Sequence, residues 1–174
     1  MNNIYSTITV RRPDEGIRCV SAGNVYRYLA TGQETNGKLA VLESVVEPGK
    51  GAPFHTHSRE EEAFLITKGE MVFYSEKERF VAPTGTFITC PVGTMRGFRN
   101  ETNNPAHMVI LLAPAGLEEM FITDGTVLER DQKADDVGGL REAACPSLSE
   151  EFGIINHDIP LPIGKEGLVS EAST

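Results

Sequence analysis

Two histidines and a carboxylate at close spacing are the residues of this 174-residue chain best suited to chemistry. His55 and His57 are separated by one residue, so in a β-strand both imidazoles point to the same face. Glu62 follows after four further residues, across a turn. Two imidazoles and a carboxylate converging from one side form a facial set that suits a divalent metal with open positions. The spacing therefore predicts a metal site at His55, His57 and Glu62.

The carboxylate of this set has to be chosen among three consecutive acids, Glu60, Glu61 and Glu62. If Glu62 faces the interior, alternation places Phe64 and Ile66 on the same interior side, whereas an inward Glu61 would turn both outward. We therefore assign Glu62. The alternative is that the two histidines lie on an exposed strand and the glutamates form a solvated run of charge.

The elements that must position these residues are short β-strands between turn residues, because the chain has 17 Gly and 10 Pro at close intervals. Strand-like runs occupy residues 26–30, 38–46, 63–67, 70–75, 79–82, 87–90 and 107–112. Asn36-Gly37 lies between the first two runs and predicts a hairpin, since both residues tolerate positive φ. Many short strands with close turns predict an all-β sandwich or barrel.

The chain divides into three predicted parts. Residues 1–23 form an N-terminal strand or arm, residues 24–114 form the barrel, and residues 115–174 form a C-terminal extension and tail. Within the extension, residues 115–121 and 147–152 are predicted to be short helices, and the charged stretch 129–136 is predicted to be a loop.

Composition excludes several classes of partner. The net charge of −9 opposes phosphate backbones and anionic membranes, so neither nucleic acid nor a membrane is an expected partner. No apolar run is long enough for a transmembrane helix, and the polar first ten residues do not resemble a secretion signal. Cys19, Cys90 and Cys145 form neither a disulfide framework nor a zinc pattern. These features predict a reduced, cytoplasmic protein, with Cys90 as a buried filler.

Two segments resemble the motifs of the cupin superfamily. Residues 49–69, GKGAPFHTHSREEEAFLITKG, are similar to the first cupin motif, Gly-x5-His-x-His-x3,4-Glu-x6-Gly, at every defining position. Residues 85–100, GTFITCPVGTMRGFRN, are similar to the second motif, Gly-x5-Pro-x-Gly-x2-His-x3-Asn. The resemblance implies a cupin (RmlC-like) jelly-roll barrel with one interior metal site, and commonly a homodimer.

The second motif departs from the family pattern at Arg96, which stands where cupins usually have a fourth metal ligand, a histidine. A guanidinium stays protonated and cannot ligate a metal. Three arrangements are open. The metal stays on three ligands and Arg96 orients an anionic substrate group; Arg96 pairs with Glu62 and no metal binds; or Arg96 turns outward.

Further residues are candidates for the wall of the site. Alternation from Glu62 and Arg96 points four side chains inward as predicted substrate contacts, with less certain neighbours at Met71, Phe73 and Met108. The four are Phe64, Ile66, Ile88 and Phe98. His107 reaches the site only if its face of the strand at 107–112 is the interior one; otherwise it faces solvent or a partner subunit. His157 is expected at the surface, with a lid over the pocket as the alternative.

The resemblance extends to the small single-domain quercetin-dioxygenase-like cupins, including the segment 116–121. It implies an oxidoreductase with Fe, Ni, Mn or Zn that acts on a small, partly apolar organic molecule. In the dioxygenase-like reaction, Glu62 is ligand and candidate proton acceptor, and Arg96 stabilises negative charge on the substrate. Isomerisation or decarboxylation at the same site, with the metal holding an enolate, remains open. The alternative is a metal-free binding or sensing module, or a cofactor-free isomerase or cyclase in which His55 or His57 is the base.

Overall fold

The computed structural model describes residues 8–137 and 146–164. Residues 1–7, 138–145 and 165–174 lie outside the described part, and with them lie Cys145 and portions of the predicted arm and tail. In the described part, the strands are β1 (Arg18–Ser21), β2 (Asn24–Ala30), β3 (Ala40–Val46), β4 (Gly51–His57), β5 (Glu61–Lys68), β6 (Glu70–Tyr74), β7 (Arg79–Pro83), β8 (Phe87–Cys90), β9 (Arg96–Arg99), β10 (Ala106–Ala113), β11 (Thr126–Val127) and β12 (Ile154–Asn156).

These strands form two antiparallel sheets. The larger sheet has the strand order β11-β1-β2-β3-β10-β5-β8, and the smaller sheet has the order β12-β4-β9-β6-β7. The two sheets enclose one main hydrophobic core between them. The all-β prediction is confirmed, and the fold is that of a jelly-roll barrel.

The helices are short and follow the last long strand. They are α1 (Glu118–Asp124), a 3₁₀ helix (Ala134–Val137) and α2 (Pro146–Glu151). The helix predicted at 115–121 therefore begins three residues later, and the one predicted at 147–152 is displaced by a single residue. Within residues 8–137 and 146–164, no helix is both long and apolar enough to span a membrane.

Strand pairing connects all three predicted parts of the chain. β1, inside the predicted arm, pairs with β2 and with β11 of the predicted extension. β12, also in the extension, pairs with β4 of the smaller sheet. The domain boundaries at 23/24 and 114/115 stay a prediction.

Alternating burial along β10 identifies its two faces. Ala106, Met108, Ile110 and Leu112 are buried in the core, whereas the residues between them are only half-buried. His107 therefore lies on the outward face, opposite Val45 of β3 and Lys68 of β5. The outward placement answers the question that the sequence left open for His107.

The turn at Asn36-Gly37 has the predicted backbone. Both residues have positive φ, 55° and 75°. The connection is longer than a two-residue hairpin, however, because β2 ends at Ala30 and β3 begins at Ala40. The loop is held by Glu118, whose buried carboxylate accepts hydrogen bonds from the backbone N–H of Gly32 and of Gly116.

Candidate functional site

Three neighbouring strands bring the predicted site residues together inside the barrel. His55 and His57 lie on β4, Arg96 lies opposite His55 on the adjacent β9, and Glu62 comes from β5 in the larger sheet. All four side chains are buried. The site thus joins the two sheets across the interior.

His55, His57 and Glu62 each offer one ligand atom, and these atoms all lie within 4.8 Å of one another. The imidazole centroids are 5.1 Å apart, so both rings lie on the same side of β4 as the spacing predicted. Glu61 is exposed and Glu60 precedes the strand, which leaves Glu62 as the carboxylate in the cluster. These three residues could hold a metal ion.

The hydrogen bonds of the two histidines differ. His55 Nδ1 lies 2.8 Å from the backbone oxygen of Pro53, so Nδ1 carries the proton and Nε2 keeps a lone pair. His57 Nδ1 is buried and has no hydrogen-bond partner among the described residues, and His57 Nε2 lies 3.8 Å from Glu62 Oε2. The backbone therefore orients the ring of His55, whereas no described residue orients the ring of His57 through Nδ1.

Burial keeps both imidazoles neutral. It lowers the pKa of His55 to about 4, partly opposed by the hydrogen bond to Pro53. It lowers the pKa of His57 to about 2, and the positive charge of Arg96 lowers the pKa further in the same direction. Neutral imidazoles present lone pairs near pH 7, as either a metal ligand or a base requires.

Arg96 is bonded to the carboxylate of the cluster. Its Nε and Nη2 donate to Glu62 Oε2 at 3.1 and 3.0 Å, and its Nη1 donates to the backbone oxygen of Thr94 at 2.9 Å. Arg96 is 2% exposed, so the outward-turned arrangement considered from the sequence is wrong. Burial raises the pKa of Glu62, and the guanidinium opposes that rise.

The pairing occupies only one carboxylate oxygen. Both hydrogen bonds from Arg96 end on Oε2, and within the described residues Oε1 accepts none. The arrangement combines features of two sequence hypotheses: Arg96 is paired with Glu62, yet one oxygen remains for a metal or a proton.

The cluster opens into a cavity of about 520 Å³. Phe98 lines this cavity, as predicted. Phe64 packs edge-on against the Phe98 ring at 5.6 Å between centroids, and Ile66 is buried in the same core. Ile88 is half-buried against the core. Phe64, Ile66 and Ile88 are not among the residues that line the cavity, and their role as substrate contacts stays a prediction.

The three less certain neighbours also belong to the core. Met71, Phe73 and Met108 are buried there and do not line the cavity. Cys90 is buried, in agreement with the filler role predicted for it, and burial raises the pKa of its thiol to about 11.

The two remaining histidines do not enter the cluster. His107, predicted as a possible substrate contact, points away from the core because of its position in the alternation of β10. His157 Nε2 lies 2.7 Å from Thr56 Oγ1, on the residue between the two site histidines, and its backbone N–H donates to Phe54 O. His157 therefore holds the segment after β12 against β4, although its side chain does not line the cavity.

Sequence reasoning missed one wall of the cavity and one polar end. Residues 154–163 supply part of the wall, from β12 and the segment after it. Asn24, Lys50 and Arg99 also line the cavity. A three-residue strand gives too little periodicity to be recognised, whereas Lys50 and Arg99, both within the two motif segments, could have been noticed as cations in an acidic chain.

Comparison with known proteins supports the assignment of the fold. Residues 42–112 match the Cupin domain family. The chain is 26% identical to quercetin 2,3-dioxygenase of Bacillus subtilis (strain 168) over 115 residues, which are 66% of this chain and 34% of that protein. The chain thus spans about a third of the length of this curated relative.

Two solved structures share the architecture. An RmlC-like cupin from Shewanella frigidimarina NCIMB 400 superposes with a TM-score of 0.56 at 15% identity, over 65% of this chain and 96% of that one. The polyketide cyclase RemF from Streptomyces resistomycificus gives 0.54 at 17% identity, over 61% and 80%. Identities this low show the fold alone. The family match over residues 42–112, together with the two motifs, shows that this part of the chain is a cupin domain.

Proposed function

We propose that this cupin is an enzyme that holds one divalent metal at His55, His57 and Glu62 and acts on a small, partly apolar organic substrate. The observation that carries the proposal is the convergence of three buried ligand atoms within 4.8 Å beside a cavity. Two neutral imidazoles and a carboxylate are a donor set that suits Fe, Ni, Mn or Zn. We favour a dioxygenase-like reaction because the relative from Bacillus subtilis is a dioxygenase. Isomerisation and decarboxylation are the alternatives at the same site.

The donor atoms fit such a metal in this chain. Backbone hydrogen bonding leaves His55 Nε2 unprotonated, and burial keeps the His57 ring neutral, so each ring has a nitrogen with a lone pair for a metal. When bound, the metal would supply Lewis acidity and open positions for substrate and, with a redox-active ion, for dioxygen.

The chain's own residues have separate tasks in this proposal. Glu62 Oε1 accepts a proton from the substrate, since Oε2 is held by Arg96. Arg96 does not line the cavity; it fixes that carboxylate, and its buried positive charge stabilises negative charge on the substrate from a distance and not by contact. Apolar side chains make up much of the cavity wall, and the low local dielectric they create strengthens both effects.

The second candidate is a metal-free cupin that binds a ligand or catalyses an isomerisation or cyclisation. The hydrogen bonds of 3.0 and 3.1 Å between Arg96 and Glu62 favour it, because they partly neutralise the carboxylate that would hold the metal. In this alternative, His55 Nε2 is the base, since it is unprotonated at neutral pH and lies beside the cavity.

Metal content per chain separates the two candidates. Untagged protein is reconstituted in turn with Fe, Ni, Mn and Zn, and the bound metal is measured by mass spectrometry. The metal enzyme predicts about one equivalent that is lost in His57→Ala and kept in His107→Ala, a matched histidine on the outward face. No retained metal in the wild type would remove the first candidate.

Catalysis is tested next on the loaded protein. Oxygen uptake is screened with aromatic and diketone substrates, and the same mixtures are analysed for isomerised or decarboxylated product. Uptake that Glu62→Gln abolishes supports a dioxygenase; turnover without uptake supports an isomerase or lyase. The homodimer and the cytoplasmic location remain predictions, and light scattering in solution tests the first.

A further inference from the structure

The cavity has a second polar end, remote from the metal cluster. Asn24, Lys50 and Arg99 line this end, around the chain segment 49–51. Arg99 pairs with Gly51 across β9 and β4, whereas Arg96 pairs with His55 further along the same two strands. The three-residue step from Arg96 to Arg99 corresponds to about 10 Å along β9, and an odd step sends the two side chains to opposite faces of the strand. Arg99 therefore reaches the cavity at its edge, where Nη2 lies 3.4 Å from the position that a Cβ on Gly49 would take.

Arg99 differs from other arginines of the barrel in its partners. Arg27, Arg79 and Arg96 each donate to a carboxylate. Arg99 makes no hydrogen bond or ion pair with any residue in the described ranges 8–137 and 146–164, although it is half-buried at the cavity. The guanidinium donors of Arg99 are therefore available to an anionic group at the edge of the cavity.

Asn24 fixes the backbone at this end. Its Nδ2 donates to the backbone oxygens of Ala22 and Gly51 at 3.0 and 3.3 Å, which fixes the orientation of the carboxamide. Its Oδ1 is buried and, among the described residues, without a hydrogen-bond donor. An amide oxygen accepts hydrogen bonds and does not bind an anion, so Asn24 supports the shape of this end and Arg99 supplies its charge.

The region between the two polar ends is mostly apolar. Phe98, Ile110, Leu117, Met120, Phe121 and Ile154 line the cavity, as do the polar side chains of Tyr26, Asp124, Ser149 and Asn156. Phe121 is further fixed by stacking on Tyr26 at 4.3 Å between ring centroids. A ligand that fills the cavity therefore meets mostly hydrocarbon between the two ends, with few polar groups.

We propose that the ligand of this cavity is an amphiphilic organic acid: its carboxylate or similar anionic group binds Arg99, its flat or branched apolar body fills the middle, and its reacting group lies at the His55 cluster. Arg99 is then a specificity-determining residue. The placement of the reacting group rests on the proposed function, whereas the binding of the anionic group to Arg99 does not depend on a metal.

The test compares an acid with its neutral isostere in metal-free protein. The probes are biphenyl-4-carboxylate and biphenyl-4-carboxamide, titrated by calorimetry into chelator-treated wild type, Arg99→Gln, Arg99→Lys and Arg130→Gln. Arg130 is an exposed arginine outside this cavity and serves as the matched control. Circular dichroism checks that each variant is folded.

The expected result is that wild type and Arg130→Gln bind the acid about tenfold more tightly than the amide, as for one charge-assisted pair. Arg99→Gln abolishes this preference, and Arg99→Lys restores part of it. Equal binding of acid and amide to wild type, a preference that survives in Arg99→Gln, or no binding of either probe would overturn the proposal.

Repeating the titration on metal-loaded protein separates this proposal from the proposed function. A preference for the acid that appears only with metal means that the carboxylate binds at the His55 cluster, and it overturns the role of Arg99 while leaving the enzyme proposal intact. A preference that depends on Arg99 in a protein that never retains metal supports the amphiphilic-acid ligand and removes the metal enzyme.

Discussion

The cavity side and the outward side of the barrel carry the same kinds of residue in different surroundings. On the outward face of the larger sheet, Arg27 donates to Glu43 at 2.7 Å, with the two side chains 18% and 33% exposed. Inside, Arg96 donates to Glu62 at 3.0 Å, with exposures of 2% and 7%. Histidines show the same division, because His55 is buried and His107 is half-exposed. Residue type gives the possible chemistry, and burial determines its energetic consequence.

The largest expected effect comes from breaking the buried ion pair. Arg96→Gln leaves the Glu62 carboxylate buried without its cation, and it is expected to lower the free energy of unfolding by about 3–5 kcal/mol. Arg27→Gln, the matched change on the outward side, is expected to cost about 0.2–1 kcal/mol. Urea unfolding of both variants measures the difference, and equal costs would contradict the comparison. The double variant Arg96→Gln with Glu62→Gln should recover much of the loss, since no buried charge remains.

The buried histidines make stability depend on pH. In metal-free protein, His55 has a folded pKa of about 4 against an ordinary value of 6.5, so below pH 6.5 the unfolded chain binds a proton that the folded chain does not. The stabilisation by neutral His55 is present above pH 6.5 and is lost towards pH 4, at about 1.4 kcal/mol per pH unit. Urea unfolding at pH 7, 6 and 5 measures this slope. His55→Gln should have a smaller slope than wild type, and an unchanged slope would refute the assignment.

The segment after β12 packs closely against the smaller sheet at Gly97 of β9, and a substitution there tests how tight the packing is. A side chain at Gly97 would place its Cβ 2.7 Å from Leu161 Cδ2 and 3.2 Å from the backbone oxygen of Ala52. Gly97→Ala is therefore expected to cost about 1–3 kcal/mol of unfolding free energy, as overpacking does. Leu161→Ala opens the obstructed space. The loss of unfolding free energy in the double variant should therefore be smaller than the sum of the losses in the two single variants. Simple additivity would show that Leu161 is not what limits position 97.

The smallest effect concerns reactivity without a change in stability. Burial raises the pKa of Cys19 and of Cys90 from 9.0 to about 11, so the thiolate fraction at pH 8 falls about a hundredfold. We expect iodoacetamide to modify both cysteines at least that much more slowly in folded protein than in urea. Peptide mapping by mass spectrometry follows each cysteine separately, and rapid modification of Cys90 in the folded state would show that the barrel opens at β8.

Sequence spacing predicted the part of the site that depends on strand alternation. His55 and His57 share a face for that reason, and the apolar positions Phe64 and Ile66 identified Glu62 as the inward acid. The same rule could not decide the face of His107, because alternation needs one residue of the strand to be oriented independently. Whether Arg96 pairs, orients a substrate or turns away was equally open, since spacing says nothing about side-chain partners.

The rest of the cavity depends on contacts between distant parts of the chain. β12 has three residues and pairs with β4 only because the extension returns across the barrel. Asn24 is held at the cavity by its bonds to Ala22, in the turn before β2, and to Gly51, at the start of β4. Such pairings are set by tertiary packing, and neither periodicity nor turn residues report them.

β4 is synthesised well before β12, the strand that pairs with its edge. Thr56 and its partner His157 are 101 residues apart, so β4 leaves the ribosome long before the strand that covers its edge. Until then, the strand with both site histidines has an uncovered row of backbone groups, open to pairing with another nascent chain. The charged residues that follow it, from Arg59 to Glu62, are well placed to discourage such pairing while synthesis continues.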